Sequence, residues 1–313
     1  MAGEVKLANP RGFCAGVDRA IQIVEEALGL YGAPIYVLHE IVHNKHVIED
    51  LRAKGTVFVR DLAEVPEGAI TIFSAHGVSD AVVAEGRARN LRVIDATCPL
   101  VTKVHRQAVR YAEQEREVVL IGHEGHPEVE GTRGRIPGKV HVLSTPAEVQ
   151  ALVVADPTRL AYVTQTTLSV DDTSEVIEAL VARFPAIAGP ELKDICYATQ
   201  NRQNAVKAML PEVDVLFVVG SQNSSNSNRL RELGERGGIP AYLVDHPSQL
   251  RAEWLVGRPR VGVTAGASAP ERLVQLILDR LAELGVTGHV ELAGEPEEVV
   301  FQMPRELGAY LGR

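Results

Sequence analysis

The sequence predicts an α/β protein built as a trefoil: three pseudo-threefold-related α/β domains with small, mostly parallel sheets around a central pocket. Three observations lead there. Short apolar runs alternate with helical patterns of roughly 10 to 15 residues, the signature of parallel α/β units. The chain's only cysteines, Cys14, Cys98 and Cys196, stand 84 and 98 residues apart, and each directly precedes a helical pattern. Polar strand-end loops also recur at matching offsets, with His43, His126 and Ser224 falling 29, 28 and 28 residues beyond their own cysteines.

Taken in order, each third reads the same way. Helices are expected over Val17 to Leu30, Val101 to Gln114 and Asn201 to Leu210. Thr97 or Asp95 can cap the second of these, and Pro99 suits its first turn. Each helix is followed by an apolar strand that ends in a polar loop. Ile35–Leu38 leads into HEIVHN, Val118–Ile121 into GHEGHPE, and Val215–Val219 into GSQNSSNSN. A second strand then ends in a second tip: Ile70–Phe73 before SAHG, Leu160–Val163 before TQTT, and Val261–Thr264 before AGASAP. The resulting division is 1–96, with an N-terminal strand, then 97–192 and 193–290, leaving 291–313 as a C-terminal tail in which Gln302-Met303-Pro304 is expected across the pocket. In parallel α/β units the loops at the carboxyl ends of strands bind ligands.

Composition narrows the function. A length of 313 residues supports a large core, and a net charge of −9 argues against a nucleic-acid-binding surface. No apolar run approaches the ~20 residues of a membrane span, and the polar N-terminus has no signal-peptide core, so the chain reads as cytoplasmic. Three cysteines are too few and too odd in number for a secreted disulfide framework.

A thiol at a helix start meets backbone N–H groups and a helix dipole that favour the thiolate. Any single cysteine is ordinarily a small buried hydrophobe. Three at equivalent positions suit ligation instead, either of a 4Fe-4S cluster with one iron left open or of zinc with a vacant position. His39-Glu40-Ile41-Val42-His43 matches HExxH, but that pattern holds zinc only on a helix, and here it leaves a strand, with the next helix better begun near Asn44. His43, His76, His126, Thr166, Thr167, Ser224, Ser225, Asn226 and Ser268 all occupy strand-end loops. Such short hydrogen-bonding side chains suit an anion such as a diphosphate. His126-Pro127-Glu128 sets an imidazole and a carboxylate on one tight loop, a candidate proton relay. His105, His141 and His246 lack such a setting and read as structural or surface residues. Neither a GxGxxG nor a Walker phosphate loop occurs.

The strings NPRGFCAGVDRA, HEIVHN, FSAHGVS, DATCPLVTKVH, GHPEVEGT, TQTTLSVDDT, DICYATQNRQ, VGSQNSSNSNRL and VGVTAGASAP together resemble the 4-hydroxy-3-methylbut-2-enyl diphosphate reductase family, from Asn9 to about Pro304. The resemblance implies an oxygen-sensitive 4Fe-4S cluster held by Cys14, Cys98 and Cys196. It implies diphosphate binding by His43, His76, His126, Ser224, Asn226 and Ser268, with Ser225 adjacent, and a proton source in Glu128 helped by Thr166, with Thr167 beside it. The implied reaction is a two-electron, two-proton reductive dehydroxylation that yields isopentenyl and dimethylallyl diphosphates. Reduced ferredoxin or flavodoxin is the implied electron donor.

Overall fold

The computed structural model describes residues 3–190 and 194–310. In chain order the elements are β1 (Glu4–Leu7), α1 (Ala15–Tyr31), β2 (Ile35–Leu38), α2 (Lys45–Ala53), β3 (Thr56–Val59), β4 (Ile70–Phe73), α3 (Asp80–Ala88) and β5 (Arg92–Asp95). The middle of the chain supplies α4 (Pro99–Glu113), β6 (Glu117–Ile121), α5 (Pro127–Arg133), β7 (Val140–Leu143), α6 (Pro146–Ala151), β8 (Leu160–Thr164) and α7 (Val170–Arg183). The last third adds α8 (Tyr197–Met209), β9 (Val215–Val219), α9 (Ser225–Arg236), β10 (Ala241–Val244), β11 (Arg260–Ala265), α10 (Glu271–Glu283) and β12 (Gly288–Glu291).

The strands form three small sheets, ordered β10-β9-β11-β1-β12, β3-β2-β4-β5 and β7-β6-β8, and every pairing among them is parallel. The expected α/β class with three parallel sheets is therefore what the chain adopts. Parallel strands require crossovers, and the helices between them supply these.

The chain divides into two compact units. The first comprises Met1–Ala15, His43–Val47 and Tyr197–Val300, and the second Gly16–Val42, Ile48–Cys196 and Phe301–Arg313. In the first unit, β9 is buried along its whole length. Val215, Phe217 and Val219 pack on one side with Val263, Leu273 and Ile277, while Leu216 and Val218 join Val206, Met209 and Leu230 on the other. Burial on both faces explains why VLFVV is continuously apolar rather than alternating. In the second unit β6 repeats the pattern, with Val119 and Ile121 facing Val176 and Leu180, and Val118 and Leu120 facing Val104 and Ala108.

Two features depart from the reading by thirds. Strand β1, expected with the first third, lies between β11 and β12 in the sheet of the last third, with Val5 opposite Val261 and Leu7 opposite Val263. Four residues carry no register information of their own; Val5 and Leu7 enter that sheet because its core buries both. Glu291, where the tail was expected to start, is still the last residue of β12, and Leu292 N–H continues the pairing by donating to Leu7 O at 2.9 Å. Of the expected tail, residues 311–313 lie outside the described residues.

Candidate active site

Each cysteine does stand immediately before a helix, at the starts of α1, α4 and α8. None is in a disulfide, and all three are half-buried. The cap differs from expectation, because Cys98 itself is the N-cap residue of α4, with Pro99 in the first turn and no side-chain cap bond. The Asp95 carboxylate turns back to accept from Thr97 N–H and Oγ1 instead. A sulfur at that position needs no competing carboxylate, because the first-turn N–H groups favour negative charge there.

One backbone bond recurs at all three cysteines. Cys14 N–H donates to Ala267 O at 3.2 Å, Cys98 N–H to Ala75 O at 3.0 Å, and Cys196 N–H to Thr166 O at 3.1 Å. Every acceptor sits in a second strand-end tip. The near-equal spacing in sequence thus reflects equivalent three-dimensional settings. Among the described residues, no group of three or more His, Cys, Asp or Glu side chains is gathered as for a single metal ion.

In the first unit, SQNSSNSN is a turn that runs into a helix: Gln222 and Asn223 are exposed in the turn, and α9 begins at Ser225. Ser224 is the N-cap of α9 and accepts from Ser227 N–H, and Ser224, Asn226 and Ser227 are buried. The backbone closes tightly on this turn. A Cβ at Gly266 would lie 2.0 Å from Ser227 Oγ and one at Gly220 2.3 Å, so neither position admits a side chain. Ser268 Oγ donates to His43 O at 2.9 Å and stands 3.5 Å from Ser224 Oγ, while Asn226 Oδ1 accepts from Ala267 N–H at 2.8 Å. His43, Ser224, Asn226 and Ser268 are thereby brought together, with Ser225 in the first turn of α9. The Asn226 Nδ2 group is buried without a hydrogen-bond partner among the described residues. A buried donor left so is costly unless a ligand accepts from it.

The HEIVH segment that spans the two units forms no helix, and His39 has a φ of 62°. Helix α2 begins only at Lys45, with Asn44 Oδ1 accepting from His46 and Val47 N–H. The two histidines therefore do not share a helical face, as a zinc-binding HExxH requires.

In the second unit, Glu128 is 4% exposed and lies in the first turn of α5 behind its N-cap residue His126. Its Oε1 accepts from Thr166 N–H at 2.6 Å and its Oε2 lies 3.0 Å from Thr166 Oγ1. Burial pushes the carboxyl up to about 7, against the lowering effect of both Thr166 bonds and with the Asp194 carboxylate adding to the rise. His126 Nδ1 accepts from Glu128 N–H at 3.1 Å, which fixes Nε2 as the protonated nitrogen of the neutral ring. The rings of His126 and His76 meet edge to face with centroids 5.9 Å apart, and His76 Nδ1 lies 3.2 Å from Ser74 Oγ. Thr167 differs from Thr166: its Oγ1 accepts from Gln165 Nε2 at 2.9 Å, within its own loop.

Asp194 escaped sequence reasoning. It is buried, accepts from Thr164 N–H at 3.3 Å, and burial lifts its carboxyl to about 6. Its place two residues before Cys196 was the available signal. His105, read as structural, is buried against Gly77, and desolvation with the nearby Arg135 charge lowers its pKa to about 4. His141 pairs with Glu117 at 2.7 Å and His246 caps a short 3-10 turn.

Parallel α/β units with polar and titratable side chains gathered at their strand ends define an α/β enzyme. The chain belongs to the LytB protein family, whose model matches residues 5–282. It is 62% identical over 304 residues to the 4-hydroxy-3-methylbut-2-enyl diphosphate reductase of Aromatoleum aromaticum, covering 97% of each chain. To the same-named protein of Ectopseudomonas mendocina it is 61% identical over 307 residues, covering 97% of this chain and 98% of the other. Among solved structures, the E-1-hydroxy-2-methyl-but-2-enyl-4-diphosphate reductase of Plasmodium falciparum aligns with a TM-score of 0.95 at 37% identity, covering 99% of this chain and 98% of that one. Among the described residues no helix is long and apolar enough to cross a membrane.

Proposed function

We infer that the chain is an oxidoreductase that converts 4-hydroxy-3-methylbut-2-enyl diphosphate to isopentenyl and dimethylallyl diphosphates, in agreement with the names of its relatives. The reaction breaks the allylic C–O bond. Two electrons enter, one proton leaves with the oxygen as water, and a second proton goes to carbon.

The group that accepts the electrons is an iron–sulfur cluster, as in its family, and of the 4Fe-4S kind. Cys14, Cys98 and Cys196 would be its ligands. Three undisulfided thiols at helix starts suit that donor set, as does a reducing, cytoplasmic compartment. When bound, the cluster supplies single electrons and a Lewis-acidic iron for the hydroxyl. Reduced ferredoxin or flavodoxin is the donor class.

The chain's own residues do the rest. Ser224, Ser225, Asn226 and Ser268, with His43, His76 and His126, bind the diphosphate. The buried Asn226 Nδ2 finds in a phosphate oxygen the acceptor it otherwise lacks. Glu128 is the proton source, and one observation carries this role: a carboxyl buried to 4% exposure, held by both oxygens on Thr166, with a pKa near neutrality. Since the Thr166 N–H must donate to Oε1, the proton of the neutral acid resides on Oε2. Thr166 Oγ1 can take that proton while passing on its own, so the Glu128–Thr166 pair delivers a proton to the departing hydroxyl. Thr167 supports the same loop.

The test is an anaerobic assay of the reconstituted protein with the allylic diphosphate and a chemical one-electron reductant, read beside iron and sulfide content. Both products in a protein holding about four irons are expected. A loaded protein that binds the substrate but forms neither product would overturn the reading.

A further inference from the structure

Two arginines make the same unusual connection. Arg19 lies on α1, five residues beyond Cys14, and Arg202 on α8, six residues beyond Cys196. Both are buried, and Arg202 heads the fully buried side chains in size. Arg19 Nη1 donates to Ala96 O at 3.3 Å and Thr97 O at 3.2 Å, the two carbonyls that precede Cys98. Arg202 donates to Gly12 O at 2.7 and 3.0 Å and to Phe13 O at 3.0 Å, the two carbonyls that precede Cys14. Each also holds the C-terminal segment. Arg19 Nε donates to Gln302 O at 2.7 Å, and Arg202 forms an ion pair with Glu297 at 3.0 and 3.2 Å.

We propose that Arg19 and Arg202 are positioning residues that lock the backbone of the Cys98 and Cys14 loops for ligation and tie that geometry to the segment over Glu297 to Gln302. This rests on the reading of the three cysteines as cluster ligands. A buried guanidinium is expensive, and an apolar side chain of similar volume would fill the same space at less cost. What the guanidinium adds is spread: Arg19 bridges both carbonyls with Nη1 while Nε reaches Gln302 O, and Arg202 holds them with Nε and Nη2 while Nη1 reaches Glu297, a span of rigidly placed donors that the single nitrogen of a lysine does not cover. Fixing both carbonyls fixes the direction in which the next residue, the cysteine, leaves the backbone. The third loop is different. Lys103, five residues beyond Cys98, is exposed and acts on Asp194, two residues before Cys196, by charge. Two of the three thiol loops are thus clamped by arginine.

The experiment compares wild type, Arg19→Lys, Arg202→Lys and Arg116→Lys, each reconstituted anaerobically with iron and sulfide. Arg116 is a control, since it donates to Leu160 O at 3.1 Å, away from any cysteine loop. Readouts are iron and sulfide per chain, the paramagnetic resonance spectrum of the reduced cluster, the rate of iron release to a chelator, and the melting temperature of the apoprotein. Arg19→Lys and Arg202→Lys are expected to release iron about 10- to 100-fold faster, the range for residues that orient metal ligands, with an altered resonance line shape. Arg116→Lys is expected to match wild type. Should Arg202→Lys not fold, Glu297→Gln carries its arm, with a smaller acceleration expected. Wild-type release rates in the Arg19 and Arg202 variants, or in Glu297→Gln where it stands in, would overturn the inference, as would an equal acceleration in Arg116→Lys. A wild-type protein that takes up no cluster would instead overturn the ligand reading itself.

Discussion

The two compact units carry different kinds of chemistry. The unit holding Cys14 offers Ser224, Ser225, Asn226 and Ser268, hydroxyls and an amide that keep one charge state across the working pH range, beside His43 and around the closed turn flanked by Gly220 and Gly266. The unit holding Cys98 and Cys196 offers two imidazoles and two buried carboxyls, Glu128 and Asp194, both displaced upward by desolvation. Groups with fixed charge grip an anion equally well before and after reaction. Groups with a pKa near neutrality can exchange protons. Affinity for the diphosphate is therefore expected to depend mainly on the first unit and turnover on the second.

The largest expected effect falls on the proposed cluster ligands. Cys14→Ser and Cys98→Ser are each expected to lose the cluster, seen as missing iron, sulfide and visible absorption. Full retention in Cys14→Ser would confine the metal to one unit. Next in size, Glu128→Gln is expected to lower kcat by at least ~100-fold, the scale of a lost general acid, while leaving KM close to wild type. In the other unit, Asn226→Ala is expected to raise KM about tenfold or more, the cost of one or two lost hydrogen bonds to a charged group, with a far smaller change in kcat. If Asn226→Ala changed kcat and Glu128→Gln changed KM, the division of labour would be reversed.

Two smaller effects sharpen the contrast. Wild-type kcat is expected to fall as pH rises through about 7, as the Glu128 carboxyl loses its proton. The same shift acts on stability. A carboxyl raised from the usual 4.5 to about 7 binds more protons folded than unfolded between those values. Its contribution is full below 4.5 and declines as pH rises through about 7, so Glu128→Gln should flatten that part of the apoprotein's melting-temperature profile. The smallest expected effect is the difference between neighbours. Thr166→Ala should lower kcat clearly more than Thr167→Ala, since only Thr166 meets Glu128 while Thr167 bonds within its own loop.

Much of this could be read along the chain. Strands buried on both faces leave continuous apolar runs, so VLFVV and the VVLI of Val118–Ile121 marked their own ends and hence the loops that follow. The helix starts after each cysteine were equally legible, to within two to four residues. The cap of α4 was not, because Asp95 and Thr97 satisfy each other and leave the position to Cys98. Nor was the setting of SQNSSNSN, whose polar composition fits a surface loop until glycines and neighbouring turns bury its Ser224, Asn226 and Ser227. The sheet that takes β1, the neutral pKa of Glu128 and the reach of Arg202 to Gly12 all depend on partners distant in sequence.

The order of residues alone determined the α/β class, the three equivalent thiol positions and the family resemblance, because periodicity and motif spacing are local properties that need no partner. Tertiary structure decided which sheet receives the N-terminal strand, which threonine holds the acid, and how far burial shifts its proton affinity. Those outcomes depend on desolvation and on hydrogen-bond geometry between remote segments, quantities that exist only once the chain has packed.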